Sequence, residues 1–182
     1  MSSVVIAKFG GSTIGVDGIS IPVIIQRINS ISKNAKVIAV FSAPLTVVEG
    51  KRTSLTDVVL ELGNRAKDGR TSDLIILKNT YEKILELVSS EFQDGCKKII
   101  DDCLDKVQIE LEKAMEKKEF SDEIRSKTLA YSGEILMSYV MEYILQSQGI
   151  SSKAVRLENW PIITDNNIEY TNFVVSESNK KV

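Results

Sequence analysis

Two short apolar runs with a helical pattern between them constrain the fold more than any other feature of this sequence. Val4-Val5-Ile6-Ala7-Lys8-Phe9 is rich in β-branched residues and stops at Gly10-Gly11. It predicts a buried strand followed by a tight turn. Residues 19–33 carry Ile21, Ile24, Ile25, Ile28 and Ile31 at helical spacing. Ser20 is placed to cap that helix, and Pro22 suits its first turn. Lys36-Val37-Ile38-Ala39-Val40-Phe41 is the second strand, ending at Ser42-Ala43-Pro44. A strand, a helix and a strand within roughly 38 residues form a βαβ unit, so the strands are expected to run parallel.

The rest of the chain changes character. Residues 43–53 read as a polar loop. Ser54-Leu55-Thr56-Asp57 has the form of a capping box, and Leu55, Val58, Val59 and Leu62 give a helical face that ends near Gly63. Further helical patterns cover residues 71–93 and 95–118, and a long one runs from Ser121 to about Gln148, stopped by Gly149. Lys153 to Leu157 is expected to form a third strand. Residues 160–164 are expected to be extended, with Pro161 placing them at an edge or a strand start. The fold class is therefore α/β, an open and mostly parallel sheet with a helical insertion spanning 54–148.

Composition narrows the chemistry. The chain has 182 residues, enough for about one domain, and its 43% apolar content is sufficient for a core. It contains no histidine, which excludes Ser-His-Asp and Cys-His catalysis and every imidazole-dependent zinc site. With 23 basic and 25 acidic residues the net charge is −2, which argues against a nucleic-acid partner. No run is long enough to span a membrane, and no export signal is visible. Cys96 and Cys103 are the only cysteines. On one helix their Cα atoms would lie about 10 Å apart, too far for a disulfide. Reduced thiols fit a cytoplasmic protein.

Four places could carry chemistry. Lys8 lies at the carboxyl end of the first strand, where open α/β sheets bind ligands. Gly10 and Gly11 allow amides to approach an anion, and Ser12 and Thr13 add hydroxyls. A phosphate cradle is one reading; an ordinary Gly-Gly turn is the other. Ser42 ends the neighbouring strand and would face the same crevice, or simply make a turn. Thr56 and Asp57 sit at a helix start that favours carboxylate or phosphate. Capping by Ser54 explains Asp57 but not Thr56. Ser132-Gly133-Glu134 interrupts an apolar helical pattern, and glycine inside a helix costs about 1 kcal/mol against alanine. Either a ligand or a tight helix crossing would account for it.

These four places, in this order, resemble the amino acid kinase superfamily, and aspartokinases in particular. That family opens with K-F-G-G-T-S, matched by Lys8-Phe9-Gly10-Gly11-Ser12-Thr13 with the two hydroxyl residues exchanged. Its V-V-S-A is matched by Val40-Phe41-Ser42-Ala43. Its Thr-Asp or Thr-Asn segment is matched by Ser54-Leu55-Thr56-Asp57-Val58, and its S-x-G-E segment by Tyr131-Ser132-Gly133-Glu134. A later Thr-Asp pair resembles Thr164-Asp165. The helical insertion is similar as well.

The resemblance implies the site. Lys8, Phe9, Gly10, Gly11 and Ser12 would form the nucleotide phosphate region, with Lys8 also catalytic. Ser42, Thr56 and Glu134 would bind the amino acid, Glu134 through its ammonium. Arg156 does not align cleanly with the family's carboxylate-binding arginine. The implied reaction is ATP-dependent phosphorylation of the L-aspartate side chain to 4-phosphoaspartate, the first step of the aspartate-family amino acid pathway. Mg²⁺ would be bound through the ATP phosphates rather than by a metal site of the protein, and the protein would be a homo-oligomer. Aspartokinases continue into a nucleotide lobe and ACT domains that the sequence does not contain. The chain is thus expected to be the N-terminal, amino-acid-binding part of such a domain and to be inactive alone. The alternative is a non-catalytic amino-acid-binding or regulatory module that pairs with a second chain. Acetylglutamate, glutamate and carbamate are the other acceptors known in the superfamily.

Overall fold

A computed structural model describes residues 3–156, 159, 164, 174–178 and 180. The chain divides into two compact units, residues 1–152 and residues 153–182. The first opens with β1 (Ser3–Phe9), a single helical turn α1 (Gly11–Ile14), α2 (Ile21–Ser32) and β2 (Ala35–Phe41). β1 and β2 pair in parallel, with Ile6 opposite Ile38 and Phe9 opposite Phe41. This is the expected βαβ unit. Two local expectations change. The Gly-Gly turn is the start of α1 rather than a tight reversal. Ser20 occupies the position before α2 but makes no side-chain cap, while Pro22 sits in the first turn as expected.

The strands are not buried on both faces. Val5, Ala7, Phe9 and Val37, Ala39, Phe41 face inward, and the Phe9 and Phe41 rings stack at 5.4 Å. α2 packs against β2 on the way to that core. The opposite face holds Val4, Ile6, Lys8, Lys36, Ile38 and Val40, with Ile6 72% exposed. Runs that are apolar on both faces predict complete burial, and here only one face is covered.

Residues 43–53 are not a polar loop. They contain most of a hairpin, β3 (Leu45–Val48) and β4 (Lys51–Ser54), paired antiparallel. Glu49 and Gly50 both take positive φ, 50° and 77°, the requirement of a two-residue hairpin turn. Five helices follow: α3 (Leu55–Lys67), α4 (Ile75–Leu85), α5 (Ser90–Lys117), α6 (Asp122–Ser132) and α7 (Glu134–Ser147). α5 contacts α3, α4, α6 and α7, and α7 also reaches β2. Leu77, Tyr81, Ile84, Leu111, Leu136, Met137 and Ile144 are fully buried along these contacts. Each such aliphatic side chain contributes on the order of 1.5–3 kcal/mol of burial.

Two helix boundaries differ from expectation because of glycine. α3 runs through Gly63 instead of ending there. A Cβ at Gly63 would lie 2.2 Å from the Phe120 ring, so the residue makes room for an aromatic rather than ending a helix. The long pattern 121–148 is broken at Gly133 into α6 and α7. Gly149 ends α7 as expected, with φ 72° and the Ile150 amide donating to the Leu145 carbonyl. In the second unit Lys153 to Arg156 form no strand, and α8 (Val175–Ser178) is a short helix. The expected extended segment 160–164 lies outside the described residues except for Thr164, and Asp165 lies outside them as well.

Candidate functional site

The site begins where β1 stops. Lys8 is exposed on the open sheet face and has no ion-pair partner among the described residues. Gly10 is extended, at φ −73° and ψ 166°, and a Cβ placed on it would meet nothing within 4 Å. Its carbonyl accepts from the amides of Thr13 (2.9 Å) and Ile14 (3.0 Å). The amides of Gly11 and Ser12 donate to no backbone carbonyl among the described residues, as first-turn amides generally do not. Ser12 and Thr13 are exposed. The Phe9 side chain is buried in its stack, so it supports the strand end rather than facing outward.

Gly11 has a different reason to lack a side chain. A Cβ there would lie 2.6 Å from the Ala43 carbonyl oxygen. Ala43 follows Ser42, whose amide donates to the Phe9 carbonyl at 3.0 Å and so extends the sheet by one bond. On its other side Ala43 meets the helix break: a Cβ on Gly133 would lie 2.8 Å from the Ala43 Cβ. The next residue, Pro44, accepts from the amide of Leu55 at 3.2 Å, which anchors the start of α3. One buried alanine therefore brings together the ends of both strands, the start of α3 and the junction of α6 with α7.

At that start of α3, Ser54 Oγ accepts from the Asp57 amide at 3.0 Å and donates to the Asp57 carboxylate at 2.8 Å. Ser54 caps the helix as expected, and its hydroxyl rather than its amide engages the Asp57 carboxylate. Thr56 is half-buried and takes no part in this cap. Glu134 is the first residue of α7 and is exposed. Thus Gly11, Ser42, Thr56 and Glu134 lie on segments held together around Ala43 and Pro44, with Lys8 near the end of β1 and Gly10 between β1 and α1. Arg156 belongs to the second unit.

Three structural contributors carry little signal in the sequence. Ala43 is one, since a small residue after a strand is unremarkable until its neighbours are known. Tyr81 is another. It reads as a core position of α4, yet its hydroxyl donates to the Ser132 carbonyl at 2.9 Å. Burial, then the nearby Cys103 and Glu134, push its pKa well above 10. The third is a polar chain behind α1. Asp17 accepts from Thr46 (3.0 Å) and Lys83 (2.6 Å), and Thr80 donates to Thr46 (3.0 Å). It ties the loop after α1 to β3 and α4. Only the Asp17-Gly18 pair, a turn signal, hinted at it. Among the described residues no group of three or more cysteine, aspartate or glutamate side chains could hold a metal ion, and no helix is long and apolar enough to cross a membrane.

The exposed Lys8 and the open Gly10 lie at the carboxyl end of a strand, where open α/β sheets bind ligands. The family comparison agrees: the model of the amino acid kinase family matches residues 3–181. The chain belongs to the amino acid kinase family. Membership places it in a class of phosphotransferases, kinases that use ATP. A comparison with curated proteins gives no match.

Proposed function

We propose that the chain carries the phosphate- and amino-acid-binding part of an aspartate kinase, which phosphorylates the side-chain carboxylate of L-aspartate to give 4-phosphoaspartate. The observation that supports this most is the packing of Ala43 between Gly11 and Gly133, because it joins the segments that resemble aspartokinase motifs. Lys8 would meet the transferring phosphates, with the backbone of Gly10 and Gly11 and the Ser12 hydroxyl beside it. Phe9 supports that strand end. Ser42, Thr56 and Glu134 would hold aspartate, Glu134 by pairing with its ammonium. The open space at Gly10 and a Lys8 with no ion-pair partner among the described residues suit ATP phosphates. Mg²⁺, arriving on those phosphates, would offset their charge.

The acceptor explains why no histidine is needed. An aspartate carboxylate has an ordinary pKa of about 3.9, so it is already an anion at neutral pH. The protein then has to place two anionic groups in line and offset their repulsion, which Lys8 and the free amides can do. The Ser132-Gly133-Glu134 segment and the helical insertion favour aspartate over glutamate, acetylglutamate and carbamate.

A second reading, a binding module that pairs with another chain, draws on the exposed Val4, Ile6, Ile38 and Val40 beside Lys8. The first reading requires an aspartate site, the second an amino-acid site. The test is amide chemical-shift mapping with L-aspartate and, separately, L-glutamate and acetylglutamate. Aspartate should shift the Ser42, Thr56 and Glu134 segments, and the others should not. Shifts confined to other helices, or an equal response to all three acids, would overturn the assignment.

A further inference from the structure

The bend at Gly133 leaves a carbonyl without its helical partner. In an unbroken helix the Leu136 amide would donate to the Ser132 carbonyl. Instead α7 starts afresh, with the Met137 amide on the Gly133 carbonyl at 2.8 Å. Ser132 is only 1% exposed, so its carbonyl has little access to water. Buried backbone acceptors are nearly always satisfied, and leaving one unmade is costly.

The satisfying group comes from α4. Tyr81 is fully buried, and its hydroxyl donates to the Ser132 carbonyl at 2.9 Å and lies 3.5 Å from that of Gly133. Gly133 is therefore held from two sides: Ala43 leaves no room for a methyl group, and Tyr81 caps the freed carbonyl. The residue that leaves this clamp is Glu134. We propose that Tyr81 is a positioning residue: its hydroxyl fixes the break between α6 and α7 and so sets the direction in which Glu134 is presented. The inference rests on the reading that Glu134 binds the aspartate ammonium. Burial keeps the Tyr81 hydroxyl protonated, and hence a donor, throughout the neutral range.

Tyr81→Phe removes the hydroxyl and keeps the ring, so packing is retained. Ile84→Val, on the same helix and equally buried, is the control for lost α4 packing. Two quantities are measured in each: amide hydrogen exchange at residues 137–140, the first bonded amides of α7, and the dissociation constants of L-aspartate and of inorganic phosphate. Tyr81→Phe should speed that exchange and weaken aspartate, by at most the roughly tenfold that one lost hydrogen bond commonly gives. Phosphate binding should not change, and Ile84→Val should affect neither. Wild-type exchange in Tyr81→Phe, equal effects in Ile84→Val, or parallel losses of aspartate and phosphate would overturn the proposal. If the wild-type protein does not bind aspartate, the Glu134 reading fails. The exchange comparison then still decides whether Tyr81 fixes the bend.

Discussion

Gly10 and Gly11 are neighbours, and alanine should act on them in opposite ways. At Gly11 the new methyl would lie 2.6 Å from the Ala43 carbonyl oxygen, whereas ordinary contact begins at 3.4 Å. The obstacle is backbone and cannot rotate aside, so the two strand ends must separate by about 0.8 Å. Overpacking of this kind costs about 1–3 kcal/mol. Better helix propensity and a less flexible unfolded chain return about 0.5–1 kcal/mol. Gly11→Ala should therefore lose up to about 2.5 kcal/mol, or up to roughly 10 °C in Tm for a chain of this size. At Gly10 the backbone, φ −73° and ψ 166°, suits any residue, and the methyl meets nothing within 4 Å. Gly10→Ala should be neutral or gain about 0.4–1 kcal/mol. Yet that methyl fills the open space beside Lys8, so phosphate binding should fall sharply. Urea unfolding gives the stabilities, and phosphorus NMR titration gives the binding. Equal stability losses in the two variants would refute the packing argument. Normal phosphate binding by Gly10→Ala would refute the role of the open space.

Two further outcomes are expected. Cys96 is fully buried, which pushes its thiol from 9.0 up to about 12. The folded state thus holds this proton more tightly than the unfolded state, and the associated stability is complete below pH 9 and is lost between pH 9 and pH 12. The urea midpoint should fall over that range, less so in Cys96→Ala, and the thiol should resist labelling at pH 8; an unchanged pH profile in the variant would contradict this. The exposed Ile6 and Ile38 stand opposite each other on the open sheet face. If that face drives self-association, Ile6→Lys should lower the concentration-dependent sedimentation coefficient, and an unchanged coefficient would point to another surface.

The legible parts of the fold are those set by local periodicity. β1, α2 and β2 follow from β-branched runs and isoleucine spacing alone, and Ser54 with Asp57 signals the start of α3 because a capping box is a local device. The features that were not legible arise from distant contacts. Gly63 resembles a helix stop, but the Phe120 ring, far along the chain, is what occupies the space a side chain would need. Ser132-Gly133-Glu134 stands out as an anomaly in the sequence, yet the break itself depends on Ala43 and Tyr81, neither of which is near it in sequence. The hairpin at 45–54 was hidden by Lys51-Arg52-Thr53, which obscures the alternation, although Glu49-Gly50 supplies its turn. In the candidate site, the order of the motifs, Ala43 among them, was visible, and the part Ala43 plays in joining them was not.

The central claim is that Glu134 takes part in holding aspartate while Lys8 and the glycines serve phosphate. Calorimetric titration of L-aspartate and of inorganic phosphate into the wild-type protein and Glu134→Gln tests it most directly. The substitution removes one charge at nearly constant volume. Losing a charge-assisted hydrogen bond costs about 1.5–3 kcal/mol, so aspartate should weaken by roughly tenfold to a hundredfold. Phosphate affinity should stay as it is. Equal weakening of both ligands, or of neither, would contradict the account and leave Glu134 as an ordinary helix-start residue.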